Sequence, residues 1–314
     1  MASLAVALVV ALTMPMLGSS PVSIGRAWQG VSPDKEIFFD FRLPRVLLAL
    51  VAGGGLAAAG VICQALLRDA LATPYTLGVS SGASLGAVLA IVFHFPLVWG
   101  ASLVGAAVTM FLVIALGTEG RRVSSFTLLL AGVTVNSICL AMVLFMQSLS
   151  TLGQSIAITR WLMGGIDGIP YSQLAVLAGA ILAISAVLMG QARSWNLMAV
   201  GEEWAAARGV ETQRLTWMGY LAISALTGLI TAFTGPIGFV GLIVPHGLRL
   251  WLGADHRLIL PCSFLLGAAF LAVCDTAARI VLAPAEVPVG VITALLGGPF
   301  FLWLLRSRRR SLWL

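Results

Sequence analysis

The chain has 314 residues, 60% hydrophobic and 10% charged, with a net charge of +6 and a mean hydropathy of +1.03. Soluble domains carry roughly 25% charged residues, so the composition excludes a water-soluble globular protein and points to a polytopic membrane protein. Nucleic acid is excluded as a partner, because no soluble segment interleaves basic with aromatic residues.

Ten apolar segments follow in chain order, at 2–18, 44–67, 75–93, 97–117, 126–147, 174–190, 216–234, 237–252, 260–282 and 289–305. The second is the clearest: the stretch between Arg42 and Arg68 is broken only by Arg45 and Gln64 and exceeds the ~20 residues that cross a bilayer core. A charged turn then leads into the third segment, so the two form a membrane hairpin. The eighth is short and holds Pro245, His246 and Arg249, the mark of a broken span supported by neighbouring helices. No basic residue precedes the first segment, so a span is expected there rather than a cleaved signal peptide with its positive leading region. Cys63, Cys139, Cys262 and Cys274 lie in apolar segments without a CxxC pair and read as small buried hydrophobes.

Ten spans place both termini on one side of the membrane. That side also receives Arg68, Arg121, Arg122, Arg193, Arg208, Arg214, Arg249, Arg257, Arg306, Arg308, Arg309 and Arg310, or 12 of the 18 basic residues, and is therefore cytoplasmic. The arginines at 306–310 face the anionic lipid of the inner leaflet. Segments 18–41 and 148–173 fall outside and 191–215 inside, with one transmembrane domain expected over 1–314. Glycines such as Gly53, Gly54, Gly55, Gly60, Gly78, Gly82 and Gly86 are expected to let helix backbones approach closely.

Three chemistries can be weighed from the polar residues. Ser80 and Ser81 in Gly78-Val-Ser-Ser-Gly82 could serve as nucleophiles only with a base in reach, and His246 sits in the broken eighth segment. ATP hydrolysis by a phosphate-binding loop needs a lysine after glycines, whereas Lys35, the single lysine, lies in Ser32-Pro-Asp-Lys-Glu36. No enzyme activity is therefore expected of this chain. An ion-coupled carrier needs an intramembrane ionisable group; Asp275 is one, with Arg279 one turn later as its structural partner, and this alternative stays open. His94, His246 and His256 are scattered and read as structural, so no metal or cofactor is expected on this chain. On the inner side, Glu202 and Glu203 open a short helix, Ala205 to Ala207 extend it and Gly209 stops it. Its alanine face suits docking into a groove on another protein.

A series of motifs runs from 41 to 305: Arg42-Leu-Pro-Arg45, Gln64, Leu71-Ala-Thr-Pro-Tyr-Thr-Leu-Gly-Val-Ser-Ser-Gly82, Leu128-Leu-Leu-Ala-Gly132, Trp161-Leu-Met-Gly-Gly165 and Gly201-Glu202 with Arg208-Gly209. It continues through Gly235-Pro-Ile-Gly-Phe-Val-Gly-Leu-Ile-Val-Pro-His246, Asp255-His-Arg257, Asp275 to Arg279, Glu286-Val-Pro-Val-Gly290 and Gly297-Gly-Pro-Phe300. This order resembles the FecCD-type permease subunits of ATP-binding-cassette importers for iron-siderophore complexes, haem and cobalamin. Two departures are Asp69-Ala70-Leu71-Ala72, where such permeases read Asn-Pro-Leu-Ala, and the absence of their basic leader.

The resemblance implies an all-α type II importer fold in the inner membrane of a bacterium, assembled as a homodimer. Two ATP-binding-cassette ATPases, which use ATP and Mg, bind inside, and one substrate-binding protein binds outside. It further implies a coupling element at 196–210, with Gly201, Glu202, Glu203, Ala206, Arg208 and Gly209 against the ATPase. Arg42, Arg45 and Arg279 would meet acidic residues of the binding protein, the alternative being anchoring at the membrane interface. Ser80, Ser81, Ser124 and Ser125 would form an inner gate unless they serve as helix caps, and Asn136, Met142, Met146 and Gln147 would line the path.

Overall fold

The computed structural model describes residues 2–308 except 19, 120, 121 and 124. Among the described residues, six helices are long and apolar enough to cross a membrane and four shorter apolar helices accompany them; together they fall on the ten expected segments. In chain order the helices are α1 (Ala2–Thr13), α2 (Ile24–Trp28), α3 (Leu43–Leu67), α4 (Val79–Val92), α5 (Val98–Gly117), α6 (Ser125–Ser148) and α7 (Leu152–Leu162). They continue as α8 (Tyr171–Gly190), α9 (Ala192–Val200), α10 (Glu202–Ala207), α11 (Thr212–Thr234), α12 (Val240–Leu252), α13 (His256–Ile280) and α14 (Val289–Arg308). A π-helical turn, Glu36–Arg42, runs directly into α3, and a two-residue antiparallel pair, Thr118–Glu119 with Arg122–Val123, lies between α5 and α6.

The fold is built around α3. With the π-turn before it, its most apolar stretch is 83% buried, against 28% for α5, α6 and α8. Lipid tails are as apolar as leucine, so these helices associate through backbone proximity and dispersion rather than through a hydrophobic drive. The glycines of α3 supply that proximity. A Cβ built on Gly53 would lie 2.2 Å from the Gly267 carbonyl of α13, and one on Gly60 would lie 2.0 Å from the Gly241 carbonyl of α12. On the other side, a Cβ on Gly86 of α4 would stand 2.2 Å from the Ala101 carbonyl of α5.

Two of the short helices are short because the chain re-enters the membrane before they start. The third segment, expected from 75, becomes helical only at Val79: Pro74–Leu77 forms a 3-10 turn that ends at Gly78 with φ +75°. The eighth begins at Val240, after Phe239 in the left-handed region at φ +69°, and the Phe239 ring lies against Gly297 of α14. The Gly60–Gly241 contact is about two turns from the inner end of α3, roughly 10 Å into the layer. Non-helical backbone at that depth must find partners in the protein. The Tyr75 hydroxyl accepts from the Ile237 N–H at 2.9 Å and donates to the Ile237 carbonyl. Gln64 Nε2 donates to the Gly241 carbonyl at 3.2 Å, and the Gly165 N–H to the Thr234 carbonyl at 2.8 Å.

The structure adds three helices inside stretches expected only as polar connections, α2 and α7 in the two expected outside and α9 in the one expected inside. A capping box between Thr151 and Gln154 opens α7, and Gln154 Nε2 also donates to the Val92 carbonyl at 3.0 Å. Ile158 then buries itself between Val88 and Val143, which holds α7 against the outer ends of α4 and α6. Cys63, Cys139 and Cys274 are buried and Cys262 half-buried, all as free thiols.

Candidate functional site

Polar groups gather at the two ends of the helix array. The outer cluster joins the first turn of α3, the last turn of α13 and the connection to α14. Asp275 is fully buried and pairs with Arg45 Nη2 at 3.0 Å and Arg279 Nε at 3.2 Å. Arg45 Nη1 continues to Glu286 at 2.9 Å, and Arg279 Nη2 donates to Thr276 Oγ1 at 3.1 Å. Arg42, only 5% exposed, donates to the carbonyls of Met16 and Ser20. The expected Asp275–Arg279 pair is therefore present, but as part of a larger cluster in which Arg45 is the second cation on the same carboxylate.

Two adjoining clefts of about 360 and 580 Å³ open beside this cluster and share Arg45, Arg160, Asp167 and Glu286 in their walls. The smaller has Phe233, Thr234 and Gly235 at the end of α11 for part of its lining, with Trp161 beside them. Sequence reading passed over Arg160 and Asp167, although both flank the Trp161-to-Gly165 motif. Three basic side chains and three carboxylates bound the larger cleft besides Arg279. Such a rim steers an encounter and fixes register more than it supplies affinity.

The inner end is built on α9 and α10. Trp195, fully buried, donates its indole N–H to the Leu188 carbonyl at 3.1 Å, and Met198 is buried beside it. Gly201 starts α10, Glu202 and Glu203 occupy its first turn, and Gly209 follows it at φ +81°. Ala205 turns inward, whereas Glu203, Ala206, Ala207, Arg208 and Gly209 are exposed. Trp204 is 62% exposed, and the Arg208 guanidinium stands 6.0 Å from its ring centre. The sequence-level emphasis on alanines missed Trp204; the signal was a large aromatic in an otherwise polar, small-residue turn.

Asn196 ties this end to α13. Its Nδ2 donates to Asp255 Oδ1 at 2.7 Å, while its Oδ1 accepts from the His256 N–H at 2.7 Å and lies 2.7 Å from His256 Nδ1. Asp255 also caps α13 by accepting from the Arg257 N–H at 3.0 Å. The Asn196 amide, followed by that backbone N–H, holds the Asp255 carboxyl below its ordinary range. The other histidines are built into packing: His246 meets Phe300 edge-on at 6.3 Å and His94 lies 3.3 Å from Gln154.

The gate and path candidates meet at one place, Ser81 with Asn136. Ser80 Oγ lies 3.5 Å from Thr231 Oγ1, and Ser81 donates to Asn136 Oδ1, linking α4 to α11 and α6. Gly78, not a serine, occupies the N-cap of α4, so the capping alternative does not describe these two. Ser124 lies outside the described residues, as does the side chain of Ser125, which opens α6. Gln147 Nε2 donates to Thr159 Oγ1 of α7 at 3.3 Å, and Met146 packs on the cluster of Val88, Val143 and Ile158. Met142 is exposed.

Comparison with known proteins matches this architecture over almost its whole length. The FecCD transport family model covers residues 4–307. The cobalamin import system permease protein BtuC of Halobacterium salinarum is 42% identical over 271 residues, 85% of this chain and 72% of that protein. The hemin transport system permease protein HmuU of Yersinia pestis is 38% identical over 313 residues, 96% and 93% of the two chains. A solved inward-facing metal-chelate type ABC transporter superposes with a TM-score of 0.88 at 31% identity, covering 98% of each chain. Sequence and backbone agree from the first helix to the last, and the chain belongs to the FecCD transport family.

Proposed function

We propose that this chain is the membrane permease subunit of an ATP-driven importer that carries a ferric siderophore or a metal tetrapyrrole such as haem or cobalamin across the inner membrane of a bacterium. The observation that carries the reading is that one bundle, with ten apolar helices among the described residues, bears a charged mouth around Asp275 at one end and a projecting helix with exposed Trp204 at the other. Those two ends suit two protein partners on opposite sides of a membrane. Two copies of the chain would enclose the path, with the end of α10 seated on an ATPase subunit and the cleft lined by Arg42, Arg45 and Arg279 facing the binding protein. ATP and Mg are consumed by the ATPases, and this chain supplies the doorway. Both termini lie in the cytoplasm in this arrangement, in keeping with the arginine distribution.

The test is uptake into liposomes by the chain reconstituted with its ATPases and binding protein, offered haemin, cyanocobalamin or a ferric siderophore. Accumulation of one of them that needs internal ATP supports the reading. Accumulation that persists without the ATPases and collapses with the proton gradient would assign the chain to the ion-coupled carriers instead.

A further inference from the structure

We propose that Asn196 is a positioning residue for energy coupling: its side-chain amide fixes the inner segment α9–α10 to the foot of α13, so that displacement of α10 reaches the Arg45–Asp275–Arg279 cluster at the other end of that helix. This rests on the importer reading. The geometry has three parts. First, α9 and α10 join directly at Gly201, whose N–H bonds the Leu197 carbonyl at 3.3 Å and whose carbonyl accepts from the Ala205 N–H at 3.0 Å, and Ala205 is fully buried. Second, one amide makes contacts of 2.7 Å to Asp255 and to both His256 nitrogens that face it, across about 60 positions of sequence. Third, α13 is a single helix of 25 residues, roughly 37 Å long, that continues past Pro261 near its foot, with Asp275 and Arg279 in its final turns.

The residue type is specific to the task. Donating to a carboxylate while accepting from a backbone N–H and a ring N–H requires a side chain with both a donor and an acceptor, which an amide has and a carboxylate or an amine lacks. The bond to Asp255 has a charged acceptor and belongs to the stronger class. Capping of α13 does not depend on it, since Asp255 reaches the Arg257 N–H by itself. Removing the amide therefore loosens α9 from α13 without unravelling either helix.

The experiment uses the full-length chain co-purified with its ATPases, reconstituted in liposomes, with ATP hydrolysis read in the absence and presence of saturating binding protein. In Asn196→Ala, stimulation by the binding protein, taken relative to the variant's own basal hydrolysis, falls about tenfold. If Asn196→Ala does not assemble, Asn196→Asp takes its place with the same expectation: it keeps the acceptor contacts to His256 and sets a like charge against Asp255. The exchange Asn196→Asp with Asp255→Asn restores an amide–carboxylate pair in reversed order and returns stimulation to within about twofold of wild type. Undiminished stimulation in an assembled single variant, or an exchange no better than the single changes, overturns the proposal. A wild-type complex that binds no ATPase or gains nothing from a binding protein would instead be a failure of the importer reading.

Discussion

Tyr75 and Ile237, 162 positions apart in sequence, bind each other in both directions: one hydroxyl accepts from the Ile237 N–H and donates to its carbonyl. The pair joins the 3-10 turn that precedes α4 to the irregular stretch that precedes α12, through a part-buried hydroxyl. Tyr75→Phe keeps the ring and removes the hydroxyl, leaving two part-buried backbone groups without that partner. The expected loss is ~1–3 kcal/mol, read as a lower unfolding midpoint of the purified protein in detergent. An unchanged midpoint would show that packing of the ring alone holds the stretches together.

Helix contact through glycine makes a sharper contrast. Gly60→Ala drives a methyl into the backbone of Gly241, which no rotamer change can relieve, and is expected to cost ~1–3 kcal/mol. At Gly179 of α8 nothing lies within 4 Å of the added methyl, so Gly179→Ala should be neutral or gain up to ~1 kcal/mol through helix propensity. Parallel thermal unfolding of the two variants checks the pair. Equal effects would refute the close approach of α3 and α12.

Asp275 differs from Glu286 in burial, and the two should respond differently to loss of charge. Asp275→Asn leaves Arg45 and Arg279 facing each other without their shared anion and is expected to destabilise by ~3–5 kcal/mol. The Glu286 side chain is 54% exposed, so Glu286→Gln should change stability by only ~0–1 kcal/mol. The second variant also frees Arg45 Nη1 for an incoming carboxylate. Under the importer reading, its affinity for the binding protein should rise at low salt, by titration with the purified partner; weaker docking would mean that Glu286 itself belongs to the contact.

The spans were legible in the sequence because hydrocarbon thickness sets a length and charge sets a side, and both act residue by residue. Asp275 and Arg279 were legible for the same reason, being one turn apart on one helix. Arg45 as their third member was not, since the contact spans 230 positions and nothing local encodes it. The late starts of α4 and α12 escaped a hydropathy reading because Pro74 to Gly78 and Gly235 to Phe239 carry no charged residue, so an averaging window runs across them. Local hints lay in Pro74 and Gly78 before α4 and in Gly235-Pro236 before α12, glycine accepting positive φ without strain. Asn196 left no trace either: a single polar residue in a polar connection gains meaning only when the turn at Asp255 is brought against it.

Trp204 offers the most direct probe of the inner surface. Its ring projects from a six-residue helix, 62% exposed, with Arg208 alongside. The fold does not use this side chain for packing, so Trp204→Ala should leave the unfolding midpoint of the isolated chain unchanged within ~0.5 kcal/mol. Interface energy concentrates in a few aromatic and arginine side chains that become fully covered, each worth ~2 kcal/mol or more. Co-purification of the ATPase subunits should therefore weaken by about 30-fold in Trp204→Ala, and further in the combination with Arg208→Ala. Loss of stability with intact association would move Trp204 from the docking surface into the fold. Intact association and intact stability together would place the ATPase contact elsewhere on the inner face.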